Sequence, residues 1–121
     1  MSVEFIDLGH LEKYVAGDVA LRDEILSVFS SQAVMLNEQF TIELADNEWA
    51  DTAHALKGAA RGVGAWALGD LCERAEQLVG NLPGKTERRA ALLISLRRRL
   101  ADTITGVEQL QTDNVGVAAE A

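Results

Sequence analysis

Residues 49–64 read WADTAHALKGAARGVG and decide how the chain around them folds. Apolar side chains recur in this stretch at alternating spacings of four and three residues, which is the period of one face of an α-helix. We therefore predict a helix that buries this seam in a core, presents its other face to solvent, and weakens around Gly62 and Gly64. The seam comprises Trp49, Ala53, Leu56, Ala60 and Val63.

The sequence before this helix predicts two more. Asp7 is a candidate N-cap for a short helix closed by Gly17, and Asp18 is a candidate N-cap for a long helix that runs to about Ala45. Asn47 is then the candidate N-cap of the helix that carries the seam. The apolar stripe expected along the long helix comprises Leu21, Ile25, Val28, Phe29, Leu36, Phe40 and Leu44.

The sequence after the seam predicts a helix from about Ala65 to Val79, a turn at residues 81–84 (NLPG) and a long final helix. No segment alternates like a strand, and the apolar fraction of 48% in 121 residues suffices for one core. We predict an all-α fold, an antiparallel four-helix bundle with a short additional N-terminal helix, over residues 1–112. Residues 113–121 carry no stripe and are expected to be a frayed tail.

The formal net charge of −8 argues against a nucleic-acid binder, which needs a positive surface. The charge is unevenly distributed, with 11 acidic and 2 basic residues in 1–52 but 6 basic and 1 acidic in 85–99. This basic run indicates either a solvated helix face or docking to an acidic partner or an anionic surface. No apolar run approaches the length of a membrane span, and no signal peptide is recognisable, so we expect a cytoplasmic protein without a membrane partner.

The chain holds one cysteine and two histidines. Cys72 lies among apolar residues and is expected to be a small core residue rather than a metal ligand. His10 is expected to be solvated, and Trp66 is expected to pack at the helix junction or to join a docking surface. No metal site is predicted.

His54 differs from His10 because of its neighbours. At about 100° per residue it lies roughly 140° around the helix from the seam, and so faces solvent. Gly58, one turn further along the same outer face, costs the helix roughly 1 kcal/mol relative to alanine, and core packing does not explain it. It clears space beside the imidazole, into which Lys57 can reach, while Arg61 either adds to this positive field or is simply solvated.

These residue types suit phosphoryl transfer. Imidazole is a nucleophile near neutral pH, and an ammonium group nearby offsets the charge of a phosphoryl group on the ring. Nothing in the chain is suited to hold Mg²⁺, so no cofactor is predicted and Mg²⁺ is expected in a partner. The surrounding positions, which are candidates for a docking surface, are Ala50, Asp51, Ala55, Arg61 and Gly62.

The segment resembles the histidine-containing phosphotransfer (HPt) family, whose pattern is close to His-x-Leu-Lys-Gly-Ala/Ser-Ala/Ser followed by a downstream Gly and Leu. Here residues 54–60 read HALKGAA, and Gly64 and Leu68 follow. The wider resemblance spans roughly residues 5–110.

The resemblance implies that His54 accepts a phosphoryl group on Nε2 from the aspartyl phosphate of a receiver domain and passes it to another response regulator. Lys57 would then neutralise the phosphoryl oxygens, and Gly58 would leave room for the receiver. Some members orient the imidazole with a glutamine on the next helix. This chain has Glu76 at that position and Gln77 beside it, and both are candidates.

The implied partners are receiver domains and a hybrid sensor kinase, and the implied protein is a monomeric phosphocarrier without kinase activity, since no Gly-rich nucleotide-binding segment is present. One alternative is a helical module that docks a receiver without taking phosphate. Another is the dimerisation fragment of a sensor kinase, in which an acidic residue usually follows the histidine and a proline comes later. Ala55 and Gly58 stand at those places here.

Overall fold

The computed structural model describes the backbone of residues 5–120 and the side chains of residues 5–111. Helix α3 packs between α2 and α4, α5 closes the ring against α4 and α2, and α1 lies against α2. The predicted all-α fold, a four-helix bundle with a short additional N-terminal helix, is confirmed. The helices in this part of the chain are α1 (Leu8–Val15), α2 (Val19–Gln39), α3 (Asp46–Gly62), α4 (Trp66–Glu76) and α5 (Lys85–Glu120).

The predicted seam of α3 lies at the centre of the core, where each of its five side chains is at most 3% exposed. The indole nitrogen of Trp49 donates a hydrogen bond of 2.7 Å to the carbonyl oxygen of Ala75 in α4. A buried indole N–H needs such a partner, and this one fixes α3 against α4. The face of α3 opposite the seam is thereby directed to solvent.

The predicted stripe of α2 is partly wrong. Leu21 and Val28 are 37% and 61% exposed, whereas Leu26 and Ala33, which the stripe omits, are fully buried. Helix α2 carries apolar side chains on two faces, so their spacing alone does not decide which face is buried. Packing against α3 and α5 selects the face of Leu26 and Ala33.

Helix α2 ends at Gln39, six residues before the predicted end at Ala45. Phe40 leaves the helix and is fully buried against Trp49, with ring centroids 4.4 Å apart. Arg97 of α5 donates to the carbonyl oxygen of Phe40 at 2.6 Å. Because the last carbonyls of a helix need partners, this side chain from a distant part of the sequence completes the end of α2.

Helix α3 begins at Asp46, and the predicted N-cap role of Asn47 is wrong, since the capping position is Ala45 without a side-chain hydrogen bond. The carboxylate of Asp46 instead accepts hydrogen bonds from the backbone N–H of Gly80 at 2.8 Å and from Lys85 Nζ at 2.9 Å. Long-range contacts therefore define this helix start in place of a local cap.

Arg89 of α5 completes the same cluster and is only 2% exposed. It donates to Asp46 Oδ1 at 2.7 Å and to the carbonyl oxygens of Leu44 and Leu78 at 2.9 Å each. Its guanidinium carbon lies 4.4 Å from the centroid of the Trp49 ring. A buried arginine is tolerated when its N–H donors have partners. Here Arg89 connects α5 to the start of α3 and to the segment that follows α4.

We expect Asp46→Asn to destabilise the protein at neutral pH. The hydrogen bonds from Lys85 and from the Gly80 backbone outweigh desolvation and lower the pKa of Asp46. A carboxyl group with a lowered folded-state pKa contributes stability that is present above its unfolded pKa of about 3.9 and is lost as pH falls through the folded value. Urea unfolding of both proteins at neutral pH and at about pH 3 should therefore show a difference that shrinks in acid.

The exposed Asp51 provides the matched control, since it forms no ion pair in the part of the chain that the structure describes. Asp51→Asn should leave the free energy of unfolding nearly unchanged at both pH values. Equal stability of Asp46→Asn and the wild-type protein at neutral pH would contradict this account of the cluster.

Gly64 lies at the α3–α4 junction with φ of 78°, and its backbone touches the segment before α1. The N–H of Asp7 donates to the carbonyl oxygen of Gly64 at 3.0 Å. A Cβ at position 64 would lie 2.9 Å from the carbonyl oxygen of Asp7. Glycine is therefore required here both for its backbone angle and for the close approach.

Gly64→Ala is expected to lower the free energy of unfolding by more than the roughly 1–2 kcal/mol that a left-handed backbone costs an alanine. Gly80→Ala separates the two causes, because Gly80 has the same φ of 78° but no neighbouring atom within 4 Å of the added Cβ. Chemical unfolding should show the larger loss for Gly64→Ala. Equal losses would mean that the contact with Asp7 does not contribute.

The remaining predictions concern α4, the turn and the C-terminus. Helix α4 ends at Glu76 rather than at Val79, because the chain turns the Leu78 carbonyl towards Arg89. The predicted turn is confirmed, with Gly84 at φ of 67°. Helix α5 continues to Glu120, but the side chains from residue 112 onward lie outside the described part, so the frayed tail at 113–121 remains a prediction. Among the described residues, no helix has the length and apolar character needed to cross a membrane.

Candidate functional site

His54 projects from the outer face of α3, as predicted, and 73% of its side chain is exposed. Its Nδ1 lies 3.4 Å from Glu76 Oε1 of α4. Its Nε2 has no hydrogen-bond partner among the described side chains. One ring nitrogen thus faces a carboxylate oxygen of the next helix and the other is open to solvent, an arrangement suited to a nucleophilic imidazole.

Glu76 also contacts Lys57, whose Nζ lies 2.8 Å from the same Oε1. The Lys57 and Glu76 side chains are 15% and 21% exposed, so this ion pair is mostly covered. Partial burial raises the pKa of Glu76, but the contacts with Lys57 and His54 outweigh burial and lower it overall. Glu76 is therefore ionised near neutral pH and connects the ammonium group to the imidazole.

The structure distinguishes the two candidate orienting residues. Glu76 lies against the imidazole, whereas Gln77 is exposed at the C-terminal end of α4 and forms no hydrogen bond with His54 in the described part. The sequence alone did not distinguish Glu76 from Gln77, because neighbouring residues differ by only about 100° around a helix. The packing of α3 on α4 places Glu76 against the imidazole.

Gly58 and Gly62 continue the exposed face along α3 from His54. Apart from neighbouring residues and the nearby backbone of α3 itself, no atom lies within 4 Å of the position that a Cβ would take at either glycine. The clearance predicted for Gly58 therefore exists, and it extends a further turn to Gly62. Another molecule can approach the α3 backbone closely along this strip.

The other positions predicted for a docking surface lie on this face but differ in how far they are exposed to solvent. Asp51 is exposed, while Ala50 and Ala55 are half-buried. Arg61 is not simply solvated, which was one of the two interpretations that its position in the sequence allowed. It lies across Gly69 of α4 and pairs with Glu73 at 3.3 Å and with Asp70 at 3.7 Å, contacts that sequence spacing does not reveal.

The prediction for His10 is wrong. Its ring is half-buried and makes edge contacts with Tyr14 and Trp66, at centroid distances of 5.1 and 4.8 Å. Trp66 also donates to Asp7 Oδ2 at 3.0 Å, so it packs at the helix junction as predicted. His10 belongs to this junction, and the contact between α1 and α4 that encloses it has no local sequence signal.

Cys72 is fully buried, as predicted, and burial raises the pKa of its thiol to about 12. A thiol that remains protonated is a poor nucleophile and a poor metal ligand. The described residues contain no group of three His, Cys, Asp or Glu side chains that could hold a metal ion. The features suited to group transfer thus centre on His54, Lys57, Gly58 and Glu76.

Comparisons with known proteins agree with this geometry. A family model described as the Hpt domain matches residues 24–112. The fold is similar to the crystal structure of the histidine phosphotransferase ShpA from Caulobacter crescentus, with a TM-score of 0.74, 30% sequence identity, and coverage of 94% of this chain and 97% of that chain. No curated protein sequence matches the chain. The family model spans all of α3 and α4, and the chain belongs to the histidine-containing phosphotransfer domain family.

Proposed function

We propose that His54 carries the phosphoryl group of this HPt protein. Its Nε2 accepts the group from the aspartyl phosphate of a receiver domain and passes it to another response regulator. The single observation that best supports this role is the 73% exposure of the imidazole. The open space over Gly58 lets the receiver's active site approach it.

The transfer needs no reactant beyond the two proteins and the receiver's metal ion. The lone pair of Nε2 attacks phosphorus, an N–P bond forms, and the P–O bond to the aspartyl carboxylate breaks with the electron pair leaving on that oxygen. The proton on Nδ1 stays on the ring, facing Glu76 Oε1. Mg²⁺ is expected in the receiver domain, where it neutralises the transferred charge. The reverse sequence of bonds delivers the group to the next receiver.

Lys57 is proposed to neutralise the phosphoryl oxygens. In the unphosphorylated protein its ammonium group contacts Glu76, the same carboxylate that lies against the imidazole. A phosphoryl group on Nε2 brings negative charge to this cluster, and we infer that the ammonium then divides between Glu76 and the phosphoryl oxygens. This keeps the charge of Glu76 from opposing that of the phosphate.

We propose that Glu76 positions the imidazole, and we expect Glu76→Ala to slow phosphoryl uptake roughly 10- to 100-fold through loss of ring orientation. Glu76→Gln should stay within a few-fold of the wild-type rate, because an amide oxygen at this place can face Nδ1–H as the carboxylate oxygen does. Rapid-quench measurement of uptake from a phosphorylated receiver domain tests this, with circular dichroism to confirm folding. If the alanine variant took up phosphate at the wild-type rate, Glu76 would have no positioning role.

The docking surface proposed for the receiver comprises the rest of the exposed α3 face, Ala50, Asp51, Ala55, Arg61 and Gly62. We further propose that a hybrid sensor kinase supplies the phosphate and that the protein acts as a cytoplasmic monomer without kinase activity. One chain supplies all four helices around the core, which disfavours the dimerisation-fragment alternative. Light scattering should give the mass of one chain.

The function is tested by mixing the protein with a receiver domain phosphorylated in the presence of Mg²⁺. The protein should take up a label that is labile in acid and stable in base, and it should pass the label on when a second receiver domain is added. A protein that binds receivers but takes up no label from any receiver domain of its source organism would support the docking-module alternative instead.

A further inference from the structure

A groove runs along the junction of α4 and α5, separate from the residues around His54. Two adjoining clefts of about 330 and 280 Å³ form it, and Ser95 lines both. Its lining runs along α5 from Arg88 to Asp102, about four turns, and Ile94 on its edge is 66% exposed although it is a large aliphatic side chain. The apolar residues that line it are Leu71, Leu78, Ala91, Leu92 and Ile94.

Arginine side chains line the groove along its length. Arg74 and Arg88 border the first cleft, and Arg98 and Arg99 border the second, with Asp102 as the acidic lining residue. The first three arginines form no ion pair or hydrogen bond through their side chains in the part of the chain that the structure describes. A protein of net charge −8 thus concentrates unpaired positive charge along one apolar groove.

The groove and the residues around His54 use different faces of α4. Leu71 and Arg74 face α5 and line the groove, whereas Glu76 faces α3 and contacts His54 and Lys57. These two sets of residues lie on roughly opposite sides of α4, at about 100° per residue. A molecule in the groove would therefore leave the exposed face of α3 free for a receiver domain.

We propose that this groove binds an acidic amphipathic α-helix of a partner protein. A groove between two packed helices accepts the apolar face of a third, whose side chains follow the same spacing of three and four residues. Carboxylates flanking that face would meet the unpaired arginines, which present fork-shaped donors suited to carboxylate oxygens. Within the basic run of residues 85–99, the docking residues are thereby Arg88, Arg98 and Arg99. The other three, Lys85, Arg89 and Arg97, hold the fold together.

An anionic membrane surface would also attract arginines, but the shape of the site favours a helix. Leu71 and Leu78 are half-buried and Leu92 is buried, so most of the large apolar lining lies within the clefts rather than on a projecting, membrane-inserting face, and Ile94 is exposed at the edge. The unpaired arginines therefore favour an acidic partner, and the partly buried leucines of the clefts favour a partner that presents an apolar ridge.

The test uses designed helical peptides of about five turns, long enough to span the groove. The first has leucines at spacings of three and four and glutamates on both flanks. The second replaces the glutamates with lysines, and the third replaces the leucines with glutamines. We expect only the first to bind the full chain, with NMR shift changes on the groove residues of α4 and α5 and with affinity that falls as salt rises.

Charge-reversal variants locate the site. Arg74→Glu/Arg88→Glu should weaken binding of the first peptide about tenfold or more, through loss of attraction and gain of repulsion. Lys13→Glu makes the same kind of charge change at an exposed position on α1, outside the groove, and should change affinity less than twofold. Phosphoryl uptake by His54 should be unchanged in both variants, which separates failure of this proposal from failure of the proposed function.

Several outcomes would overturn the proposal. In one, the lysine peptide binds as tightly as the glutamate peptide, and in another the NMR shift changes are confined to α2 or α3. The third such outcome is an affinity for the first peptide that is the same in Arg74→Glu/Arg88→Glu as in the wild-type protein. Binding of vesicles rich in phosphatidylserine through the same arginines, without binding of the glutamate peptide, would assign the surface to membranes. Concentration-dependent dimerisation that the double reversal abolishes would assign it to a second copy.

Discussion

His54→Gln is expected to reduce phosphoryl uptake from a phosphorylated receiver domain to background. Glutamine approximates the size and polarity of histidine but offers no nucleophilic nitrogen, because the lone pair of an amide nitrogen is delocalised. The fold should be unaffected, because 73% of the His54 side chain is exposed and the core seam lies on the opposite face of α3. The loss of activity can then be assigned to chemistry.

The measurement is transfer of radioactive phosphate, with thermal unfolding to compare stability. His10→Gln is the control, because the chain contains two histidines and His10 is the other one. Its half-buried ring at the α1–α4 junction should make that variant less stable but still competent in uptake at low temperature. Uptake that persisted in His54→Gln would refute the assignment of His54.

Gly58→Leu is expected to slow transfer at least about 100-fold, because its side chain would fill the space through which a receiver reaches the imidazole. The fold should tolerate the substitution, since no atom beyond the nearby backbone of α3 lies within 4 Å of the added Cβ. Gly58→Ala should give an intermediate rate while raising the free energy of unfolding by about 1 kcal/mol, the helix-propensity gain over glycine.

Stopped-flow or rapid-quench kinetics with one receiver domain, together with urea unfolding, separates these effects. Ala101→Leu is the matched control, since it adds bulk at an exposed position of α5. That variant should transfer at the wild-type rate. If Gly58→Leu did the same, steric clearance would not explain why glycine occupies this position.

Gly58→Ala is expected to raise stability and to slow transfer, and both effects follow from the local geometry of α3. That geometry was predictable from the sequence. The seam from Trp49 to Val63 and the exposed position of His54 both depend on the periodicity of one helix. Periodicity within a helix is fixed by its backbone, so a single sequence suffices to phase it when apolar residues occupy only one face.

Features set by contacts between helices were not predictable in this way. Helix α2 ends where Arg97 reaches Phe40, and α3 begins where Arg89 and Lys85 reach Asp46, although local cap signals pointed elsewhere. When a long charged side chain of one helix donates to backbone carbonyls at the end of another, the two residues have no fixed separation in the sequence. Sequence patterns therefore do not reveal the contact. Such tertiary contacts override local preference at helix ends.

The candidate site shows the same division. His54, Lys57 and Gly58 share one helix, so the sequence alone predicts that they lie within about one turn of each other. The common contact of His54 and Lys57 with Glu76 required the packing of α3 on α4, which also excluded Gln77. The sequence predicted which face of α3 is exposed, while the structure shows the carboxylate of Glu76 in contact with both the Lys57 ammonium group and the His54 imidazole.

The position of the phosphate on the protein tests the central claim most directly. Protein labelled with ¹⁵N-histidine can be mixed with a phosphorylated receiver domain and Mg²⁺, and ³¹P–¹⁵N coupling then identifies the phosphorylated nitrogen. We predict phosphate on Nε2 of His54, the nitrogen that Glu76 leaves free. Phosphate on Nδ1, on His10 or on a residue other than histidine would contradict the account.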